Sequence, residues 1–298
     1  MSSSLPKISI VVPNFNGAAT LPAALDSLLA QNFAGLEILV ADGGSTDGSV
    51  EVIKKYAPHL AWWESAKDRG QTHALNKGFA HASGDVVNWL CSDDRLTTGA
   101  LEKIGATFAA QPELDVLAGA CRVLYTNEPL PGTASGCREW IWTPDAERFR
   151  LLPCANPIPQ PSCFFRRKLL DRRPPLDESY QYALDFELWN YFLSKQARFE
   201  TTPDILSIFV QSGTNKSSHS GDKPASERER VYRTYVKERV SLAWWHRSFR
   251  HPLEKMRKRS AGWLGRRFAK TAQRALDFGL APFYGLERVR AMDWRDIA

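Results

Sequence analysis

The chain reads as an α/β fold: a mainly parallel sheet flanked by helices, followed by a basic helical extension. Three observations predict this. Short apolar runs rich in β-branched residues recur at Ile8–Val12, Leu36–Ala41 and Val86–Leu90, the look of strands buried on both faces of a parallel sheet. Segments with apolar residues at helical spacing lie between them, as βαβ crossovers require. The charge is also uneven. From Lys223 onward there are 19 Lys or Arg against 8 Asp or Glu, so the net +6 conceals a mildly acidic remainder with 20 basic and 25 acidic residues.

Ile8–Val12 forms the first strand, stopped by Pro13 and followed by the loop Asn14-Phe15-Asn16-Gly17. Leu21, Leu25, Leu28 and Leu29 place a helix over about 20–30. The strand Leu36–Ala41 delivers Asp42, and the turn Gly43–Ser49 leads into a helix bearing Val50, Ile53 and Tyr56. Leu60–Trp63 is a third strand, and Asp68-Arg69-Gly70 a loop before a helix over about 71–82. The next strand ends on the adjacent carboxylates Asp93 and Asp94, ahead of a helix from Thr97 or Thr98 to about 110 and a short strand near 116–118. Beyond Ala120 the pattern loosens, with many Pro and Gly as far as Pro161. A helix returns over about 183–195 and a strand over Phe199–Val210; 212–226 has the composition of a linker. The expected division is a catalytic unit over 1–222, with halves of about 7–120 and 121–222, and an extension over 223–298.

Composition narrows the classes. A chain of 298 residues, 43% hydrophobic, can bury a full core. Its five cysteines are odd in number and lack CxxC spacing, which argues against a disulfide framework and fits a reducing cytoplasm. Met1–Lys7 holds no apolar signal core, and no run of about 18 apolar residues occurs. Neither GxGxxG, nor GxxxxGK[ST], nor HExxH is present, which disfavours nicotinamide, phosphate-loop and zinc-protease chemistry.

Pro13-Asn14, Asp42 and Asp93-Asp94 all close strands, so they share the crevice beyond the carboxyl edge of the sheet, where α/β folds bind ligands. Two carboxylates roughly 4 Å apart repel by about 4 kcal/mol at an effective dielectric near 20. A cation with oxygen ligands, such as Mg²⁺, Mn²⁺ or Ca²⁺, offsets that. The competing reading makes each acid a turn or helix-start residue.

Six motifs decide between these. Val11-Val12-Pro13-Asn14-Phe15-Asn16, Ala41-Asp42-Gly43-Gly44-Ser45-Thr46-Asp47-Gly48, Asp68-Arg69-Gly70, Ala74-Leu75-Asn76-Lys77-Gly78, Ser83-Gly84-Asp85 and Leu90-Cys91-Ser92-Asp93-Asp94 stand in one register. Over about residues 7–120 the chain resembles family 2 glycosyltransferases of the GT-A fold, with its Rossmann-like sheet. The resemblance implies a nucleotide-diphosphate-sugar donor and a divalent metal, Mn²⁺ or Mg²⁺. It places Pro13, Asn14, Asn16, Asp42, Asp68, Gly70, Asn76, Lys77, Ser92 and Asp93 around the nucleotide sugar and Asp94 on the metal, with His219 a further candidate ligand. Gly17 stands where many members carry Glu. The segment Tyr182-Ala183-Leu184-Asp185-Phe186-Glu187-Leu188-Trp189 resembles the region that supplies the family's base, here Asp185 with Glu187 in reserve. The two acids aim about 200° apart on a helix. One base opposite the leaving diphosphate implies inversion at the anomeric carbon. Gln160, Trp140 and Trp189 are candidate acceptor contacts, since amides and aromatic faces suit sugar rings.

The expected enzyme is thus an inverting hexosyl- or N-acetylhexosaminyl-transferase acting on a glycan or lipid-linked hydroxyl in surface-polysaccharide assembly. A nucleotidyltransferase is the alternative within enzymes, and a non-catalytic sugar-binding module the alternative outside them. The basic tail reads as a helical cover on the catalytic unit or as a docking surface for anionic lipid through Trp244, Trp245, Phe249, Trp263 and Phe268. No nucleic-acid partner is expected. The expected location is the cytoplasm, peripheral on the inner membrane face where the tail docks.

Overall fold

In the computed structural model, which describes residues 5–126, 138–171, 176–212, 223–238, 242–250, 252–253, 256 and 263–291, β1 (Ile8–Asn14) lies at the heart of the parallel region. It pairs in parallel with β2 (Leu36–Asp42) and with β4 (Val86–Trp89), and β2 pairs in parallel with β3 (Trp62–Ser65). Helices α1 (Leu21–Leu29), α2 (Ser49–Tyr56), α3 (Gln71–His81) and α4 (Ala100–Ala110) make the crossovers. Alternate residues serve the two faces. Ile8, Ile10, Val12, Ile38 and Val40 meet α1 and α4 on one side, while Val11, Leu39, Val87 and Trp89 meet α3 on the other. Both faces being covered, the strands need continuous apolar runs.

The sheet is mainly parallel, as expected, and its remainder adds antiparallel pairs. Two strands that the sequence pattern did not reveal, β7 (Arg138–Trp142) and β8 (Cys163–Arg166), run antiparallel to β6 (Val116–Tyr125), and β8 also pairs antiparallel with β4. β9 (Phe199–Gln211) lies parallel to β6 and antiparallel to β5 (Arg95–Leu96). Among the described residues the order is β3-β2-β1-β4-β8-β6-β9-β5, with β7 on β6. Helix α5 (Leu184–Ser194) packs its Leu188, Trp189 and Phe192 into the core under β4 and β8.

Two local expectations change. Pro13 does not stop β1, because β4 pairs only as far as Val11 and Pro13 faces Ala41 of β2 alone; a residue without an N–H costs little where one neighbour is missing. Asp93 and Asp94 do not end β4 either. They sit in a turn between β4 and β5, closed by the Asp94 N–H to Cys91 carbonyl bond of 2.9 Å, and α4 starts only at Ala100.

The extension forms α6 (Lys223–Tyr235), α7 (Leu242–Trp245), a π-helical turn at His246–Arg250, α8 (Trp263–Tyr284) and α9 (Leu286–Ala291). Tyr232, Leu242, Leu280 and Val289 close on Leu151 and Cys154. No described helix is long and apolar enough to cross a membrane.

Glu37 ties the amino end of this sheet together. It is 8% exposed and accepts from Lys7 Nζ and the Ser83 N–H and hydroxyl, each at 2.7 Å, and from the Ser9 hydroxyl. Burial alone would push its pKa up, but these donors, Lys7 foremost, hold it down from 4.5 to about 2. The stability this gives is present above pH 4.5 and lost as pH falls toward 2. Glu37→Gln is expected to cost on the order of 3 kcal/mol near neutrality. In denaturant titrations the gap to wild type should close on acidification; a gap that persists unchanged at pH 2 would contradict the linkage.

Candidate active site

The parallel strands bring their carboxyl ends together around Asp42. Its carboxylate is 1% exposed and accepts from Asn14 Nδ2 (2.7 Å), the Gly44 and Ser45 N–H groups (3.1 and 2.9 Å), and the hydroxyls of Ser45 (2.5 Å) and Ser65 (2.6 Å). Burial would raise its pKa, and the Ser45, Ser65 and Asn14 bonds overcome that and lower it. Five donors of the chain itself thus converge on the carboxylate. Asp42, expected to touch the nucleotide, also holds the ends of β1, β2 and β3 in one place.

Around this knot lie the groups that remain available. Asn14 Oδ1 is buried without a hydrogen-bond partner among the described residues. Gly17 lets the β1 loop meet the turn after β4 closely: a Cβ there would sit 2.3 Å from Asn14 Oδ1 and 2.8 Å from Ser92 Oγ, so any larger residue requires the Asn14 and Ser92 side chains to shift. Asn16 pins the loop to the β2 turn through its N–H to Ser45 Oγ (2.7 Å) and its amide oxygen from the Thr46 N–H (2.9 Å). Asp68 accepts from the Gly70 N–H at 2.8 Å. Its other oxygen and the ring of Phe15 both border Gly43, at 3.0 and 3.2 Å from a Cβ placed there. Phe15 is 67% exposed, an aromatic face at the mouth of the crevice that the sequence reading passed over.

On the other side of the mouth, one donor atom each from Cys91, Asp93 and Asp94 lies within 4.8 Å of the others. Asp94 is 1% exposed and accepts from the Val210 N–H of β9 at 3.2 Å. Burial first, and the charge of Asp93 second, raise its pKa well above the usual carboxylate range. Two carboxylates and a thiol so close together, one of them desolvated, are a donor set suited to a divalent cation. Cys91 belongs to this group, although the sequence offered no reason to single it out.

Asp185 lies in the first turn of α5, partly exposed, and accepts from Asn156 Nδ2 at 3.0 Å. Asn156 is itself oriented by the Ile158 N–H at 3.1 Å. Burial raises the Asp185 pKa, against the lowering effect of the Phe186 N–H, Arg228 and Asn156. Glu187 turns the other way, as helix geometry demands. It is 5% exposed and accepts from the Tyr235 hydroxyl of α6 at 2.5 Å.

Several of the expected contacts also brace the fold. Asn76 exchanges two hydrogen bonds with the backbone of Leu176, at 3.0 and 2.8 Å, and Lys77 pairs with Glu64 at 3.0 Å. Gln160 donates to the Trp89 carbonyl at 2.7 Å, bracing the end of β4. Trp189 is wholly buried, stacked on Trp89 at 5.9 Å and edge-on to Phe165, so it is a core residue and cannot meet an acceptor. Trp140, on β7, is 38% exposed and stacks on Trp142. His219 lies outside the described residues.

Comparison with known proteins agrees with this architecture. A 96-residue stretch is 38% identical to an uncharacterized glycosyltransferase of Mycobacterium tuberculosis, covering 32% of the chain and 37% of that relative. A PGL/p-HBAD biosynthesis glycosyltransferase of Mycobacterium bovis is 29% identical over 61% of the chain and 68% of its own length. Among solved structures, S. aureus TarS 1–349 in complex with UDP-GlcNAc superposes with a TM-score of 0.59 at 16% identity, covering 96% of this chain and 90% of that one. A mannosyltransferase of Pyrobaculum calidifontis in complex with GDP-Man and Mn²⁺ gives 0.52 at 20% identity, covering 97% and 74%. At such identities the likeness is one of fold, and it is the GT-A fold. The model of the family described as glycosyl transferase family 2 matches residues 9–173, more than half of the chain, and the chain belongs to that family.

Proposed function

We propose that the protein is an inverting, metal-dependent glycosyltransferase that moves a sugar from a nucleotide diphosphate to a hydroxyl of a glycan or lipid-linked acceptor. The carrying observation is the Cys91, Asp93 and Asp94 cluster at the carboxyl edge of the sheet, in a chain of this family. A divalent cation held there would offset the charge of the donor diphosphate. Asn14, Ser92, Asp93 and Asp68 supply polar contacts for the nucleotide sugar, and the exposed Phe15 ring suits stacking on the base. Asp185 takes the proton from the acceptor hydroxyl. The acceptor oxygen bonds to the anomeric carbon as the bond to the diphosphate breaks on the opposite face, which inverts the centre. Between the two acids of α5, partial exposure and a raised pKa favour Asp185; a base is stronger when its proton affinity is raised. The structural neighbours solved with UDP-GlcNAc and with GDP-Man and Mn²⁺ support a donor of this chemical class.

Thermal unfolding with Mn²⁺ and a panel of UDP-, GDP- and dTDP-sugars tests the donor. A true donor at about 100 times its dissociation constant stabilises by about 2.7 kcal/mol. No rise in Tm with any member of the panel would count against a nucleotide-sugar site.

The acceptor side favours lipid, and with it a peripheral position on the cytoplasmic membrane face. On α8, Phe268, Phe278 and Phe283 are 66%, 61% and 80% exposed. They fall within an arc of about 140° around the helix axis. Arg267, Lys270 and Arg274 are exposed beside that arc, and Arg290 reaches over the Phe278 ring at 5.9 Å. Aromatic residues bordered by cations suit an anionic bilayer surface. Trp244 and Phe249 are exposed as well, whereas Trp245 packs partly into the extension. Co-sedimentation with phosphatidylglycerol vesicles should fall at least tenfold for the triple Ala variant at 268, 278 and 283. Equal sedimentation of variant and wild type would remove the docking face.

A further inference from the structure

The helix that carries Asp185 lacks a cap of its own. Its N-cap residue is Ala183, whose side chain has nothing to offer the free N–H groups of the first turn. The backbone just before that turn is held instead. Glu227 of α6, 44 to 46 residues away in sequence, directs both carboxylate oxygens at the segment entering α5: it accepts from the N–H of Gln181 (3.0 and 3.1 Å), Tyr182 (2.7 Å) and the N-cap residue Ala183 (2.9 Å). A carboxylate at this end of a helix also complements the positive pole of the peptide dipoles.

The strand of chain leading into α5 is held from both sides. From α3 and its entry loop, Arg69 pairs with Glu178 through two bonds of 2.8 and 2.9 Å, and Thr72 Oγ1 donates to the Tyr180 carbonyl at 2.8 Å. From α6, Arg230 stacks 3.7 Å over the Tyr180 ring and donates to the Ser179 carbonyl at 2.9 Å. Glu227 is the point at which this clamp reaches the helix itself, and the adjacent Arg228 faces Asp185 electrostatically.

We propose that Glu227 is a positioning residue of the transfer reaction, anchoring the backbone that enters α5 through its N-cap residue and so fixing the first turn from which Asp185 faces the acceptor. The inference rests on Asp185 being the base. It makes the start of the basic extension part of the catalytic apparatus, on the acceptor side alone. Donor binding draws on the strand ends and does not involve Glu227.

The test compares Glu227→Ala, Glu227→Gln and Glu227→Asp in the full-length protein, with Asp185→Asn and the double variant Glu227→Ala/Asp185→Asn alongside. For Glu227→Ala, kcat is expected to fall 10- to 100-fold with the donor Kd within twofold of wild type. Glu227→Gln, which keeps one acceptor oxygen, should fall less, and Glu227→Asp less again or not at all. Arg228 of α6 and the Cys163 thiol of β8 are the groups that face Asp185 electrostatically, and Glu227 acts on it only through the backbone entering α5. A fall in kcat at unchanged donor Kd, recovered in part by the Gln and Asp variants, is therefore the signature that simple loss of stability does not produce. In the Asp185→Asn background Glu227→Ala should have no further effect. An unchanged kcat for both Ala and Gln variants overturns the proposal, as does a loss of kcat that tracks loss of donor binding. If Glu227→Ala does not fold, the Gln variant decides alone on kcat and donor Kd. If Asp185→Asn itself retains activity, the base assignment fails, whatever Glu227 does; if only the Glu227 variants are silent, the positioning role fails and the base stands.

Discussion

Asp185→Asn is expected to lower kcat by about 10² to 10⁴, the usual worth of a positioned general base, while leaving the donor Kd within about twofold. The substitution is nearly isosteric, and its oxygen can still accept from Asn156 Nδ2, which now bonds at 3.0 Å. What it removes is the ability to take a proton. The pH profile provides a second signature. Burial raises the Asp185 pKa above its ordinary value, opposed by the Phe186 N–H, Arg228 and Asn156, and the acid acts electrostatically on the Cys163 thiol. As pH falls, the base should protonate, and transfer should decline, at a higher pH than an exposed Asp would give. Steady-state assays from pH 4 to 8 check both points. A variant with wild-type kcat, or one whose acid limb matches that of the parent, would show that the base lies elsewhere.

Asp94→Ala is expected to abolish metal-dependent transfer, a loss of about 10³-fold or more if the cation supplies the several kcal/mol typical of charge stabilisation in such sites. It should also weaken Mn²⁺ binding measured by calorimetry without donor. The same experiment separates roles within the cluster, because Asp94 is buried whereas Cys91 and Asp93 are partly exposed. A thiol among the donors adds a spectroscopic handle, since thiolates favour softer ions. Cd²⁺ should produce an ultraviolet thiolate-to-metal charge-transfer band in the wild type that is lost in Cys91→Ser. Full activity of Asp94→Ala after chelation, or a Cd²⁺ band that survives in Cys91→Ser, would contradict the assigned donor set.

Both experiments concern residues that were legible in the sequence to different degrees. Asp93 and Asp94 stood out because a buried strand preceded them and two like charges were adjacent, which is local information. Asp185 stood out because it opens an amphipathic helix, but its rivalry with Glu187 could not be resolved there. Both acids satisfy the same local pattern, and only the approach of Tyr235 from α6 shows which is occupied. Cys91 carried no signal, since a cysteine at the end of an apolar run reads as core.

The continuous apolar runs of β1, β2 and β4 and the helical spacing of α1 to α4 determined the layered fold and put Pro13, Asn14 and Asp42 at one edge, because these patterns act over a few residues at a time. The antiparallel insertion of β7 and β8, the burial of Trp189 against Trp89 and the five donors around Asp42 were decided by tertiary contacts. So was the anchoring of the backbone entering α5 by Glu227, whose partners are 44 to 46 residues away. A carboxylate has the same chemistry in every sequence context. Whether it binds a ligand, holds strands together or anchors the backbone entering a helix depends on which donors the fold brings to it, and that is settled only when distant segments pack.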